Sequence, residues 1–138
     1  MVGRIIIGIL SLLGILISGY FASIYHNLLP DVNRFVPRFC RMESGACSSL
    51  LSTSQARLFG VPNFDLGVLY YAGLLGSAVL PSLWKQLHSM LFFGSIVAIM
   101  TGFYLTYVLV LRLRVHCILC FTIHAVNFLI FLTLLAAP

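Results

Sequence analysis

Four cysteines, Cys40, Cys47, Cys117 and Cys120, are the side chains most able to do chemistry in this chain, and they fall in two close pairs. Paired thiols exchange electrons by thiolate attack on a disulfide, through a mixed disulfide. Cys117 and Cys120 open the run CILCFTIHAVN at the mouth of an apolar segment. A helix begun at Cys117 places Cys120, His124 and Asn127 at about 300°, 340° and 280° from it, stepping about 100° per residue. All four polar groups then share one face. Polar side chains inside a membrane span face the bundle interior or a cavity. Cysteines at a helix N-terminus gain from the unpaired N–H groups and the helix dipole, which favour the thiolate. Arg112, Arg114 and His116 add positive potential beside Cys117. A lone cysteine in such a helix would read as a small hydrophobe; two pairs read as a redox relay. Cys40 and Cys47 either close a static disulfide that pins their loop or carry electrons from an external thiol to Cys117. Four thiolates also suit structural zinc, but Cys-x6-Cys is a loose spacing and a membrane-embedded ligand would be unusual. No metal is expected.

The elements that position these residues are membrane helices. Of 138 residues, 61% are apolar and only 8% charged, and the mean hydropathy is +1.08. A soluble domain carries about 25% charged residues. About 20 apolar residues cross a bilayer core, and four stretches qualify: about Ile5–Tyr25, Leu66–Leu83, Ser89–Leu111 and Cys117–Ala136. The connections are a long one (about His26–Asp65), a short one around Trp84-Lys85-Gln86, and a turn at Arg112–His116. The expected fold is an all-α bundle of four membrane spans forming a single domain. By parity, the long loop and the last turn lie on one side, so both cysteine pairs share a face. The first apolar run exceeds the length of a signal-peptide core, about 7–15 residues, and reads as a retained span. Its small residues Gly8, Ser11, Ser18 and Ala22, with Gly14 and Gly19 nearby, favour close helix packing. In the long loop, Ser48–Phe59 has the pattern of a short amphipathic helix stopped by Gly60 and Pro62. Tyr70, Tyr71, Tyr104 and Tyr107 read as packing or interface aromatics, with one face able to line a pocket. The net charge of +5 belongs to polar loops and membrane surface. No basic stripe with interleaved aromatics points to nucleic acid.

With these residues assembled, the chain resembles the vitamin K epoxide reductase family, particularly prokaryotic members without an attached thioredoxin-like domain. Four features carry the resemblance: the pair Cys40/Cys47, the Ser52-Thr53 step after it, the run FGVPNFDLG from Phe59 to Gly67, and CILCFTIHAVN. The resemblance implies a four-helix bundle around a quinone, ubiquinone, menaquinone or a relative, capped by a short loop helix. It implies that Cys120 faces the quinone and reduces it, and that Cys117 exchanges with Cys47. It also implies that Cys40 receives electrons from a thioredoxin-like protein or another dithiol. Thr53, with Ser52, stands where the family has a serine that assists the loop. Asn63 matches an asparagine that bonds a quinone carbonyl, and Asn127 and His124 lie on the quinone side. Members that reduce vitamin K carry a tyrosine where this chain has His124. An imidazole can also donate a hydrogen bond and move a proton near neutral pH. Quinone reduction coupled to disulfide formation is therefore the expected activity, ahead of epoxide reduction.

Two other classes compete. A second quinone-linked disulfide oxidase family is also four-helical, but its two cysteine motifs come in the opposite order. A non-enzymatic four-span protein with structural cysteines would not need the stripe at Cys117, Cys120, His124 and Asn127. Orientation divides the expectations. Arg34, Arg38, Arg41, Arg57, Arg112 and Arg114 lie on the cysteine face, against Arg4 and Lys85 opposite. The Lys/Arg rule puts the richer side in the cytoplasm, whereas the family resemblance implies an outward cysteine face. Intracellular disulfides do occur in hyperthermophiles.

Overall fold

Hydrocarbon offers no hydrogen bonds, so apolar runs close their own backbone bonds as helices. The computed structural model describes residues 1–25, 57–58, 61–112 and 118–136. Its helices are α1 (Val2–Tyr25), α2 (Asn63–Val79), α3 (Pro81–Tyr107) and α4 (Ile118–Ala136). A π-helical turn, Val108–Arg112, extends α3. Arg57–Leu58 and Val61–Pro62 pair as a minimal antiparallel ladder just before α2. Arg57 and Leu58 are therefore extended, contrary to the helix expected over Ser48–Phe59; the remainder of that stretch lies outside the described residues.

The helices run up, down, up and down. Gly8 faces Ala78, Ser18 faces Gly67, and Phe21 stacks on Phe64 with ring centroids 6.4 Å apart. Residue numbers rise along α1 as they fall along α2, so the two are antiparallel. Gly73 meets Leu91 between α2 and α3, and Phe92 stacks on Phe131 at 5.7 Å between α3 and α4. Contacts of α1 with α4 close the ring, leaving α2 and α4 on opposite corners. The core holds Ile7, Tyr71, Leu74, Leu91, Val126, Ile130 and Leu134. Three buried serines bond within their own helices: Ser11 donates to the Ile7 carbonyl, Ser77 to Leu74 and Ser95 to Phe92. Such bonding to a carbonyl three or four residues back removes the cost of an unpaired hydroxyl in an apolar interior.

The second connection differs from the expectation. The break falls on the single residue Leu80, whose φ of −103° and ψ of 110° are extended. Pro81 begins α3 rather than ending the second span, because proline suits the first turn, where its missing N–H is no loss. Trp84, Lys85 and Gln86 are consequently helical, not a loop. Likewise, Arg112 closes the π turn instead of opening the last connection.

Among the described residues, three helices are long and apolar enough to cross a membrane: Val2–Ser23 of α1, α3 and α4. The fourth, α2, has 17 residues, about 25 Å at 1.5 Å per residue. Large apolar side chains cover the outside, among them Phe93, Met100, Phe103 and Tyr104 along α3 and Leu111 in the π turn. Tyr71 is only 2% exposed and is a core residue, whereas Tyr104 and Tyr107 face outward.

Candidate active site

All four helices contribute to one cavity of about 350 Å³. It lies at the end of the bundle where α1 finishes and where α2 and α4 begin. From α4 it takes Cys120, Ile123, His124 and Asn127, spaced three, four and seven residues on from the cysteine. This is one helical face, and it is the face inferred from the sequence. Cys120 is buried at 6% exposure and carries a free thiol. From α2 the cavity takes Asn63, the helix's first residue, then Phe64, Gly67 and both tyrosines. Ser18 and Phe21 close the α1 side, and Gly94, Thr101, Gly102 and Leu105 line the α3 side.

The structure thus brings Asn63, Cys120, His124 and Asn127 together. Cys40, Cys47, Ser52, Thr53 and Cys117 lie outside the described residues, although Cys117 directly precedes the first residue of α4 in the chain.

Glycines create room for the rings. A Cβ on Gly102 would stand 2.9 Å from His124 Nδ1, and one on Gly94 would stand 3.0 Å from the Tyr70 ring. At Gly14 it would come within 2.7 Å of three Tyr71 ring atoms. Real Cβ contacts do not approach as closely as those at Gly102 and Gly14, so the His124 and Tyr71 rings occupy seats that glycine leaves open, while at Gly94 the Tyr70 ring would have to give by a few tenths of an ångström. Tyr71 reaches across the diagonal of the bundle, and its hydroxyl donates to Asn127 Oδ1. Tyr70 leans the other way, toward the Leu91 carbonyl on α3. Among the described residues, His124 Nδ1 is buried without a hydrogen-bond partner.

Sequence reasoning had the α4 face and Asn63 and allowed one face of the tyrosines to line the site, as Tyr70 and Tyr71 do, but did not identify the α1 and α3 walls. A signal existed: Asn63, Gly67 and Tyr71 recur every four residues on α2, and Gly94, Ala98, Gly102 and Leu105 form a mostly small-residue stripe along α3.

Chemically, this is a mainly apolar, partly open cavity with one thiol from the first turn of α4 and imidazole and amide groups one and two turns further along that helix. It suits a small, mainly apolar molecule with acceptor atoms, and its volume falls in the range of small-molecule sites, about 300–1,000 Å³. A cysteine, a histidine and two asparagines around an apolar cavity, in a bundle of membrane-length helices, agree with an independent comparison of the sequence. The model of the Vitamin K epoxide reductase family matches residues 5–135, nearly the whole chain, so the protein belongs to that family of membrane-bound, quinone-linked oxidoreductases.

Proposed function

We propose that the protein is a membrane thiol oxidase, drawing electrons from protein dithiols and delivering them to a quinone. The observation that carries this reading is Cys120: its buried thiol lines the same apolar cavity as His124, Asn127 and Asn63. Cys117 precedes it by three residues in the chain, completing a Cys-x-x-Cys pair. In this reading α2 makes a fourth crossing of the cell membrane, its 17 residues lying at the short limit for a span.

The electrons follow the cysteines inward. A dithiol on a thioredoxin-like protein, or another dithiol, reduces the Cys40–Cys47 disulfide and leaves with a disulfide of its own. The Cys47 thiolate attacks Cys117 Sγ, so the Cys117–Cys120 bond breaks and Cys120 is released as a thiolate facing the cavity. Cys40 then attacks Cys47, closing the loop disulfide and freeing Cys117. A quinone, when bound, would supply the two-electron, two-proton acceptor, so that Cys120 and Cys117 give up their electrons and protons and re-form their disulfide. The net change is one substrate disulfide made and one quinol formed. Ser52 and Thr53 assist the loop pair.

The residues present fit such a ring. Phe21, Phe64 and Leu105 supply apolar walls, and Asn63, His124 and Asn127 supply the polar contacts. His124, an imidazole where vitamin-K-reducing members have a tyrosine, favours plain quinone reduction over epoxide reduction as the main task.

The relay separates two kinds of reductant. With a thioredoxin-like protein as donor, Cys40→Ala should lose turnover. With a small dithiol that reaches Cys117 directly, the same variant should keep most of it. Equal rates for variant and wild type with the protein donor would remove Cys40 from the path.

A further inference from the structure

Asn127 is the deepest polar residue of the α4 stripe, and something must decide which end of its amide faces the cavity. The oxygen and nitrogen of an asparagine are nearly the same size, so packing alone does not choose between them; the hydrogen-bond network does. Here the choice comes from the opposite corner of the bundle. Tyr71 is 2% exposed, and its ring is held in the gap over Gly14. Its hydroxyl donates to Asn127 Oδ1. With the oxygen engaged, the group that Asn127 can offer the cavity is its NH2, a donor. Both residues line the cavity, so the orientation is imposed where a ligand would sit.

We infer that Tyr71 is a positioning residue: it turns the Asn127 amide so that its NH2 donates to a carbonyl oxygen of the cavity ligand, and so biases the site toward ligands with an acceptor at that depth. This rests on the quinone reading above and deepens it, because the oxidised ring has carbonyl acceptors where the reduced ring has hydroxyls. A fixed donor favours the oxidised form at the moment of binding and the release of the reduced one.

The test uses the full chain in detergent, a small dithiol as reductant and a short-tailed ubiquinone analogue as acceptor. Tyr71→Phe keeps the ring in its seat and removes only the donor. Its KM for the quinone should rise about tenfold, the order expected for one hydrogen bond, while its rate of alkylation at Cys120 stays as in wild type. Asn127→Asp keeps the acceptor for Tyr71 but loses the NH2, and should raise KM at least as much. The pair Tyr71→Phe with Asn127→Ala should be no worse than Asn127→Ala alone, because the tyrosine acts through the asparagine. An unchanged KM in Tyr71→Phe, or effects that multiply in the double variant, would overturn the inference. A wild-type protein that neither binds nor reduces the quinone would instead overturn the proposed function, so the two failures are distinct.

Discussion

At the scale of single residues, the site depends on side chains that have been given exact room. His124 is the residue that departs from the vitamin-K-reducing pattern, and its imidazole lies against Gly102, one of two α3 positions with no side chain. A methyl group on Gly102 would meet Nδ1 at 2.9 Å and Cγ at 3.4 Å, so the ring would have to move. Gly102→Ala should therefore raise the quinone KM several-fold with little change in thiol exchange. Gly76, where nothing stands within 4 Å of an added Cβ, should accept alanine without effect on either. Steady-state kinetics with varied quinone checks the pair; equal KM values for both variants would show that the imidazole position is unimportant. The Cys120–His124–Asn127 face was legible in the sequence because one uninterrupted helix fixes it: the helical period alone puts the three side chains together. Gly102 and Tyr71 were not legible in the same way, because their roles arise only when separate helices pair.

At the scale of elements, the α1–α2 contact sets the geometry of the site. Gly14 and Gly19 look alike in the sequence, both within a small-residue stripe. In the structure, an added Cβ at Gly14 would overlap the buried Tyr71 ring, whereas at Gly19 it would meet nothing within 4 Å. Overfilling a packed interior costs about 1–3 kcal/mol. Gly14→Ala should lower stability by that order and displace the tyrosine, while Gly19→Ala should leave the melting temperature in detergent unchanged. Equal melting temperatures would contradict the packing described. The far end of the same helix pair is closed by Arg4, whose Nε and Nη2 donate to the Ala78 carbonyl at 3.1 and 2.7 Å. Nη2 also reaches the Val79 carbonyl at 3.2 Å. These carbonyls end α2 and lack partners within the helix. Arg4→Ala should cost on the order of 1 kcal/mol, read as earlier unfolding in a denaturant titration of the detergent-solubilised protein; Arg4→Lys should recover part of it. The α2–α3 boundary was misread from hydropathy because Trp84, Lys85 and Gln86 form the most polar stretch there. Helix ends follow backbone chemistry instead, and Pro81 at the first position of α3 decides this one.

At the scale of the whole molecule, antiparallel pairing puts the cavity at one end of the bundle and the Arg4 cap at the other. Arg4 spends its donors on the α2 carbonyls, and Lys85 sits in the early turns of α3 at the same end. The remaining arginines belong to the cysteine side of the sequence, so charge bias predicts that side in the cytoplasm. A reporter fused after Pro138 should then read outside; a cytoplasmic signal would place the cysteine side outward and show that the long segment between α1 and α2 escapes the bias. In either orientation the central claim is that Cys120 passes electrons to a quinone held in the cavity. The most direct measurement is anaerobic: purified protein, a reduced dithiol, and ubiquinone or menaquinone followed by absorbance, with wild type beside Cys120→Ala. Quinol formed one for one with disulfide by the wild type, and reduced to background in the variant, is the predicted result. Quinone reduction that survives the loss of Cys120, or dithiol oxidation with no quinol formed, would contradict the account.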